Sequence, residues 1–169
     1  MEGGTVKESV TKKNIVLIGM PGSGKSHFGK IISERTGRPF FDTDEMFFEK
    51  YGIKPEDYIK NEGEESFRDA ECKVISSLAD KEGAVISAGG GAVLRLENRG
   101  VLKKNAVCIW VKRPISELST ENRPISEENG LLTLYGERAG IYESMADFEL
   151  NNDKNADFAL SIILANLTH

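Results

Sequence analysis

One short segment, GMPGSGKS at residues 19–26, places glycines, a lysine and a serine in the pattern G-x-x-x-x-G-K-S. Glycines let the backbone curl until its N–H groups converge on phosphate oxygens, and the positive end of a following helix points to the same place. In this pattern the lysine reaches the β- and γ-phosphates of a nucleotide, and the serine hydroxyl is a ligand of Mg²⁺. The predicted nucleotide-binding residues are Gly22, Ser23, Gly24, Lys25 and Ser26.

Two carboxylates follow, in the sequence DTD at residues 42–44. Transfer of a phosphoryl group to an alcohol needs a negatively charged partner for the metal and a group that accepts the hydroxyl proton. Asp42 and Asp44 could divide these two tasks. The alternative is structural, because an aspartate before the segment EMFFEK could instead cap the first N–H groups of a helix.

Two further segments carry residue types that suit an anionic ligand. In GEESFRDAE, Arg68 and Glu71 lie one helical turn apart, and the arginine forms either a two-pronged contact with a substrate carboxylate or an ordinary surface ion pair. In SAGGGAV, Gly89, Gly90 and Gly91 offer bare backbone where a side chain would intrude on a ligand. Three successive glycines cost conformational entropy, which favours a function over a mere connection.

Short apolar runs alternate with longer charged segments along the chain. Strands are predicted at NIVLI, PFFDT, AVISA, AVCIWV and ADFELN, which begin at residues 14, 39, 84, 106 and 146. Helices are predicted at residues 26–37, 64–81, 131–145 and 155–167. The alternation predicts a three-layer α/β/α sandwich around a parallel sheet, in which ligands bind beyond the carboxyl ends of the strands.

Composition limits the partners of the chain. Its 169 residues, 39% of them hydrophobic, suffice for one domain, here residues 1–169, with residues 1–13 expected to be flexible. A net charge of −5 argues against nucleic acid and anionic membranes, which both favour a basic surface. Cys72 and Cys108 have neither disulfide nor metal-ligand spacing, so we expect two thiols in the reducing cytoplasm.

A nucleotide-binding loop by itself leaves switch GTPases, motor ATPases and small-molecule kinases open. The guanine-binding signature N-K-x-D is absent from the chain. A D-x-x-G sequence at residues 80–83 precedes a predicted strand instead of ending one, which indicates a turn. A small-molecule kinase is therefore the favoured class.

Taken together and in order, the motifs GMPGSGKS, DTD, GEESFR, GGG, NRP and ERAGIY resemble those of the shikimate kinases from about residue 14 to residue 167. The resemblance implies ATP-dependent phosphorylation of the 3-hydroxyl of shikimate, a step in aromatic amino acid biosynthesis. It also implies a fold like that of the nucleoside-monophosphate kinases, with five parallel strands in the order 2-3-1-4-5 and a mobile lid at about residues 112–130. We expect a monomer that binds ATP and shikimate.

The resemblance also implies roles on the nucleotide side of the site. Lys25 would stabilise the phosphoryl group during transfer. Ser26 would hold Mg²⁺, with Asp42 and Ser87 supporting the metal through water. Arg123, in the NRP of the lid, would swing over the phosphates as a third catalytic residue beside Lys25 and Asp44.

On the acceptor side, the resemblance implies that Asp44 binds the acceptor hydroxyl and serves as its base. Arg68 and Arg138 would bind the shikimate carboxylate, with Glu71 orienting the first arginine. Three glycines complete the predicted substrate-binding set, namely Gly89, Gly90 and Gly91.

The chain also departs from the family pattern. Ile125 and Ser126 follow the lid Arg-Pro where the family usually has two leucines, and Ile59 stands where a phenylalanine often borders the substrate pocket. An arginine against the adenine is not evident, because Arg113 lies too early in the sequence. Two alternatives stay open: a kinase for another small hydroxy acid such as gluconate, and a nucleotide-binding regulator that has lost phosphoryl transfer.

Overall fold

The computed structural model describes residues 13–118 and 126–167, although the side chains of residues 126–129 are outside that description. The N-terminal segment predicted to be flexible lies outside the described residues except for Lys13. The predicted lid, residues 112–130, is described only at its two ends, so its mobility stays a prediction.

Five strands form one parallel sheet in the order β2-β3-β1-β4-β5. Strand β1 spans Asn14–Ile18, β2 Phe40–Asp42, β3 Val85–Ser87, β4 Ala106–Lys112 and β5 Phe148–Asn151. All five lie within the segments predicted from the apolar runs, apart from one residue at the end of β4. The strand order confirms what the family resemblance implies.

Seven α-helices are described: α1 Lys25–Thr36, α2 Thr43–Tyr51, α3 Pro55–Glu62, α4 Glu64–Ser76, α5 Leu96–Lys103, α6 Ser126–Met145 and α7 Ala156–Leu167. Helix α4 ends five residues before its predicted end, because the N–H groups of residues 77–79 turn back to carbonyls only three residues earlier. Helices α3 and α5 were not predicted, since eight residues give too little periodicity. None of the described helices is both long and apolar enough to cross a membrane.

Both faces of the sheet are covered, which explains why its strands read as nearly unbroken apolar runs. Residues alternate along β1 between two core clusters, with Val16 and Ile18 in one and Ile15 and Leu17 in the other. A third, smaller cluster joins α2 to α4 through Phe47, Phe67, Ala70 and Val74. The sheet is thereby held firmly beneath the loops that follow its strands.

The register of the sheet brings three functional segments to one edge. Ser87 at the end of β3 pairs with Leu17 of β1 on one side and with Asp42 of β2 on the other. The segments that follow these three strands are the phosphate loop, DTD and the triple glycine. Because the strands are parallel and adjacent, all three segments emerge side by side.

We predict that Leu160→Ala in α7 lowers the free energy of unfolding by about 2–5 kcal/mol, because it opens a cavity in the core. Leu160 is completely buried, whereas Ile162 of the same helix is 48% exposed. The matched control Ile162→Ala should therefore cost about 1 kcal/mol or less. Urea unfolding followed by the fluorescence of Trp110 measures both losses, and equal losses would contradict this description of the core.

Candidate functional site

The phosphate loop has the backbone conformation that only glycines adopt without strain. Gly19, Gly22 and Gly24 have φ angles of 148°, 79° and 106°. No side chain caps helix α1 at Gly24, so its first N–H groups are available to an anion. The geometry of the loop therefore suits phosphate binding.

Lys25 is buried beneath this loop, and its ammonium is held by the loop itself. The Nζ atom donates to the carbonyl oxygens of Gly19 and Met20, both at 2.9 Å. Burial lowers the pKa of Lys25 to about 8, although the carboxylates of Asp44 and Asp42 act in the opposite direction. Two of the three N–H donors of the ammonium are used in these contacts, and the third remains for another acceptor.

The side chain of Asp42 uses its two oxygens for two different purposes. Its Oδ1 accepts hydrogen bonds from the N–H groups of Asp44 at 2.9 Å and Glu45 at 3.2 Å, and so caps helix α2. Its Oδ2 accepts a hydrogen bond of 2.5 Å from the Ser26 hydroxyl. The helix cap that the sequence offered as the structural alternative is therefore present, and the same side chain also contacts the phosphate loop.

Three side-chain oxygens meet at this point, since the Ser87 hydroxyl lies 3.4 Å from that of Ser26. Together with Asp42 they form a set of hard oxygen donors, the kind that Mg²⁺ prefers. Within the described part of the chain, no group of three His, Cys, Asp or Glu side chains could hold a metal ion on its own. This arrangement fits Mg²⁺, which keeps several waters and binds largely through substrate phosphates.

Asp44 faces the same cleft from the first turn of α2. Burial raises the pKa of its carboxyl above the usual range, and the neighbouring Asp42 raises it further, while Lys25 acts to lower it. A carboxylate with a raised pKa is a better proton acceptor than an ordinary aspartate. The geometry thus places a candidate base beside the candidate metal donors.

Each of the three successive glycines makes room for a different part of the site. A Cβ atom at Gly89 would lie 2.8 Å from Oδ1 of Asp44, and one at Gly90 would lie 2.7 Å from the Pro21 ring of the phosphate loop. A Cβ atom at Gly91 would overlap the Arg68 guanidinium. The sequence prediction was that these glycines leave space for a ligand, but the space at their Cβ positions is taken by the protein's own groups.

Arg68 and Arg138 border the cleft, and both are nearly buried. The side chain of Arg68 is 11% exposed, donates to the buried Glu71 at 2.8 Å and pairs with the exposed Glu64 at 3.5 Å, so it is salt-bridged but not a solvated surface group. Arg138 is 4% exposed and forms no ion pair with a described carboxylate. A buried cation without a partner is costly, so this geometry suits an anionic ligand.

The phosphate loop, both aspartates, both arginines and the triple glycine line one cleft of about 950 Å³. Of the sequence-predicted site residues, Arg123 alone lies outside the described residues. Ile59 lines the same cleft.

A neighbouring cavity of about 480 Å³ lies between the ends of β4 and β5. Trp110, Arg113 and Tyr135 are among the residues that line it. The Arg113 guanidinium donates to the Gly22 carbonyl at 3.2 Å, so this arginine contacts the phosphate loop although its place in the sequence seemed too early. The cavity therefore lies beside the phosphate loop.

Two supporting residues were not predicted from the sequence. The Asn152 side chain donates to the Ser23 carbonyl at 2.8 Å and lies against Gly24 of the phosphate loop. The Thr43 hydroxyl accepts a hydrogen bond of 2.9 Å from the Gly89 N–H. Thr43 could have been singled out from the sequence, because it is the middle residue of the DTD motif. No sequence pattern near Asn152 indicates its contact with the phosphate loop.

Known proteins resemble the chain over most of its length. A family model described as shikimate kinase matches residues 21–167. The chain is 35% identical to a shikimate kinase of Sulfurihydrogenibium species strain YO3AOP1, covering 84% of this chain and 89% of that protein. It is 34% identical to a shikimate kinase of Buchnera aphidicola, with 90% and 95% covered.

Among solved structures, a shikimate kinase from Acinetobacter baumannii in complex with shikimate superposes with a TM-score of 0.85. The two sequences are 29% identical, and the match covers 96% of this chain and 97% of that one.

We predict that binding of ATP weakens as the pH rises through about 8. Free protein then loses the Lys25 proton, while phosphate oxygens bind the ammonium form, so binding must take up a proton. Because one proton is taken up for each ATP bound, the Kd for ATP should rise by up to about tenfold per pH unit above that pKa. Calorimetric titrations with ATP and Mg²⁺ between pH 7 and pH 9.5 measure this slope.

The control for this titration is Lys25→Arg, because a guanidinium stays charged over the whole range. Its Kd for ATP should be independent of pH even if its affinity is lower. A slope shared by both proteins would assign the pH dependence to another group.

Proposed function

The chain belongs to the shikimate kinase family and is an enzyme of that family, and we propose that it transfers the γ-phosphoryl group of ATP to the 3-hydroxyl of shikimate. Kinases of this family use ATP as co-substrate. The products are then ADP and 3-phosphoshikimate.

One observation carries the choice of an acidic acceptor. Among the described residues, three buried side-chain polar atoms have no hydrogen-bond partner, namely Ser23 Oγ, Arg68 Nε and Arg138 Nε. Two of them belong to the arginines that border the cleft opposite the phosphate loop. A carboxylate bound between these guanidinium groups would satisfy both the unpaired donors and the buried charge.

Gluconate also carries a carboxylate and hydroxyl groups, so the arginines by themselves do not separate it from shikimate. Membership of the family favours shikimate. A regulator without transfer activity would have no use for a buried lysine at the phosphates and a carboxylate with a raised pKa beside it. We therefore keep the enzyme as the main proposal.

In the proposed reaction the Lys25 ammonium, held in place by the carbonyls of its own loop, binds the phosphoryl group as negative charge develops on it. Asp44 binds the acceptor hydroxyl and takes its proton as the new bond forms. Glu71 holds Arg68 against the substrate carboxylate. Most of the acceleration comes from positioned charges that need no reorganisation during transfer.

Mg²⁺ belongs to the proposal, because the hydroxyl of Ser26 and, through water, Asp42 and Ser87 form an oxygen set that suits it. The ion supplies neutralisation of the phosphate charge during transfer. Arg123 of the lid is proposed to add a further cation over the phosphates. Closure would exclude water, which competes as an acceptor.

We also propose that the enzyme acts as a monomer in the cytoplasm. Every proposed site residue comes from a single chain, so catalysis needs no second subunit. Cys72 and Cys108 are both free thiols, which suits a reducing compartment. Burial raises the pKa of Cys108 to about 11, so this thiol is protonated and unreactive at neutral pH.

The test of this function is release of ADP by the purified protein with ATP and Mg²⁺, measured with shikimate, with gluconate and without acceptor. We expect release above background with shikimate alone. Release with gluconate alone would move the assignment to another hydroxy acid. Binding of ATP without acceptor-dependent release would favour the regulator.

We predict that Asp44→Asn lowers kcat by about 10²–10⁴-fold, because the amide keeps the size of the carboxylate but does not accept the proton. Affinity for ATP and the melting temperature should change little. The matched control is Asp69→Asn, which alters an exposed carboxylate paired with Arg95 outside the cleft. Retention of most activity in the Asp44 variant would remove this residue from the proposed mechanism.

A further prediction concerns Gly91→Ala. The added methyl group overlaps the Arg68 guanidinium, which must move away from Glu71. We expect KM for shikimate to rise by about tenfold or more, as for loss of a hydrogen bond to a charged group. Steady-state kinetics test this, with Gly100→Ala on α5 as the control because its Cβ meets no atom within 4 Å.

A further inference from the structure

Tyr142 in α6 is completely buried. Its hydroxyl donates to the Gly90 carbonyl at 2.6 Å. Burial has the largest effect on the pKa of this hydroxyl and raises it, while the positive charge of Arg138, one helical turn earlier in α6, lies close enough to act in the opposite direction. One hydroxyl thus joins the helix that carries an arginine of the cleft to the triple-glycine loop.

Gly90, which accepts this hydrogen bond, is closely surrounded by other parts of the site. Gly90 lies against the Pro21 ring of the phosphate loop, and its two neighbours lie against Asp44 and Arg68. A displaced Gly90 would therefore disturb a candidate base and a candidate arginine together.

The ring of Tyr142 is fixed independently of its hydroxyl. It belongs to the larger core cluster, and its centroid lies 5.7 Å from that of the Trp110 ring. Burial raises the pKa of Tyr142 to about 12, so the hydroxyl remains a donor at any ordinary pH. Packing of the ring therefore determines where the hydroxyl lies, and the hydroxyl in turn holds the Gly90 carbonyl.

We propose that Tyr142 is a positioning residue for the acceptor: its hydrogen bond to the Gly90 carbonyl ties the triple-glycine loop to α6, and so fixes the loop relative to the Arg138 guanidinium that receives the acceptor carboxylate. This inference rests on the proposed function for the identity of the acceptor. Tyr142 itself does not touch the substrate, and its effect passes through the triple-glycine loop.

The variant Tyr142→Phe tests the proposal because it keeps the ring and removes only the hydroxyl. We expect KM and Kd for shikimate to rise about tenfold, with kcat and KM for ATP changed by less than about threefold. A purely structural role would instead lower the melting temperature and the active fraction, and so lower kcat without changing KM. Unchanged KM and Kd for shikimate would overturn the proposal.

The matched control is Tyr51→Phe. Tyr51 packs at 4.6 Å, centroid to centroid, against Phe47 in the small cluster and does not line the cleft. This variant loses the same hydroxyl group and should keep wild-type values of KM and kcat.

Amide hydrogen exchange provides a second measurement that needs no acceptor. Peptides covering residues 88–94 should exchange faster in Tyr142→Phe than in the wild type and in Tyr51→Phe. Equal exchange in all three proteins would overturn the positioning role. If the wild type releases no ADP with shikimate, the proposed function fails, but the exchange rates still decide whether Tyr142 positions the loop.

Discussion

The site depends on a steric constraint at the carboxyl edge of the sheet. Strands β2, β3 and β1 lie side by side in the sheet, with neighbouring strands only about 5 Å apart, so the segments that follow them are crowded together. Gly89, Gly90 and Gly91 lie where these segments meet, and a methyl group on any of them would collide with Asp44, the phosphate loop or Arg68. Close approach of the candidate base, the phosphate loop and an arginine is possible only because these residues have no side chains.

Buried cations and carboxylates lie close together at this edge of the sheet. A chain with a net charge of −5 buries Lys25 and Arg138 and nearly buries Arg68, with Asp42, Asp44 and Glu71 as the nearby anions. Two guanidinium Nε atoms remain without partners, and the Lys25 ammonium is held only by carbonyls of its own loop. The cations are therefore fixed before any anion arrives, which is how a preorganised site stabilises charge that develops during transfer.

Structural and functional roles coincide in several side chains of this site. Asp42 caps α2 with one oxygen and accepts from Ser26 with the other, so the helix that carries Asp44 is tied to the phosphate loop. The Tyr142 hydroxyl likewise ties Gly90 to the helix of Arg138. Such shared contacts mean that a movement of one loop changes the geometry of the others.

Contiguous sequence patterns predicted the phosphate loop, the five strands, four of the seven described helices and the aspartates at a strand end. The strand order was predicted from the resemblance of the ordered motifs to a known family. The same resemblance predicted that Arg68 and Arg138 belong to one site. Tertiary structure alone decided that Tyr142 meets Gly90, 52 residues away, and that Asn152 meets Ser23, 129 residues away. Such contacts leave no local pattern, because they depend on how the sheet brings distant loops to one edge.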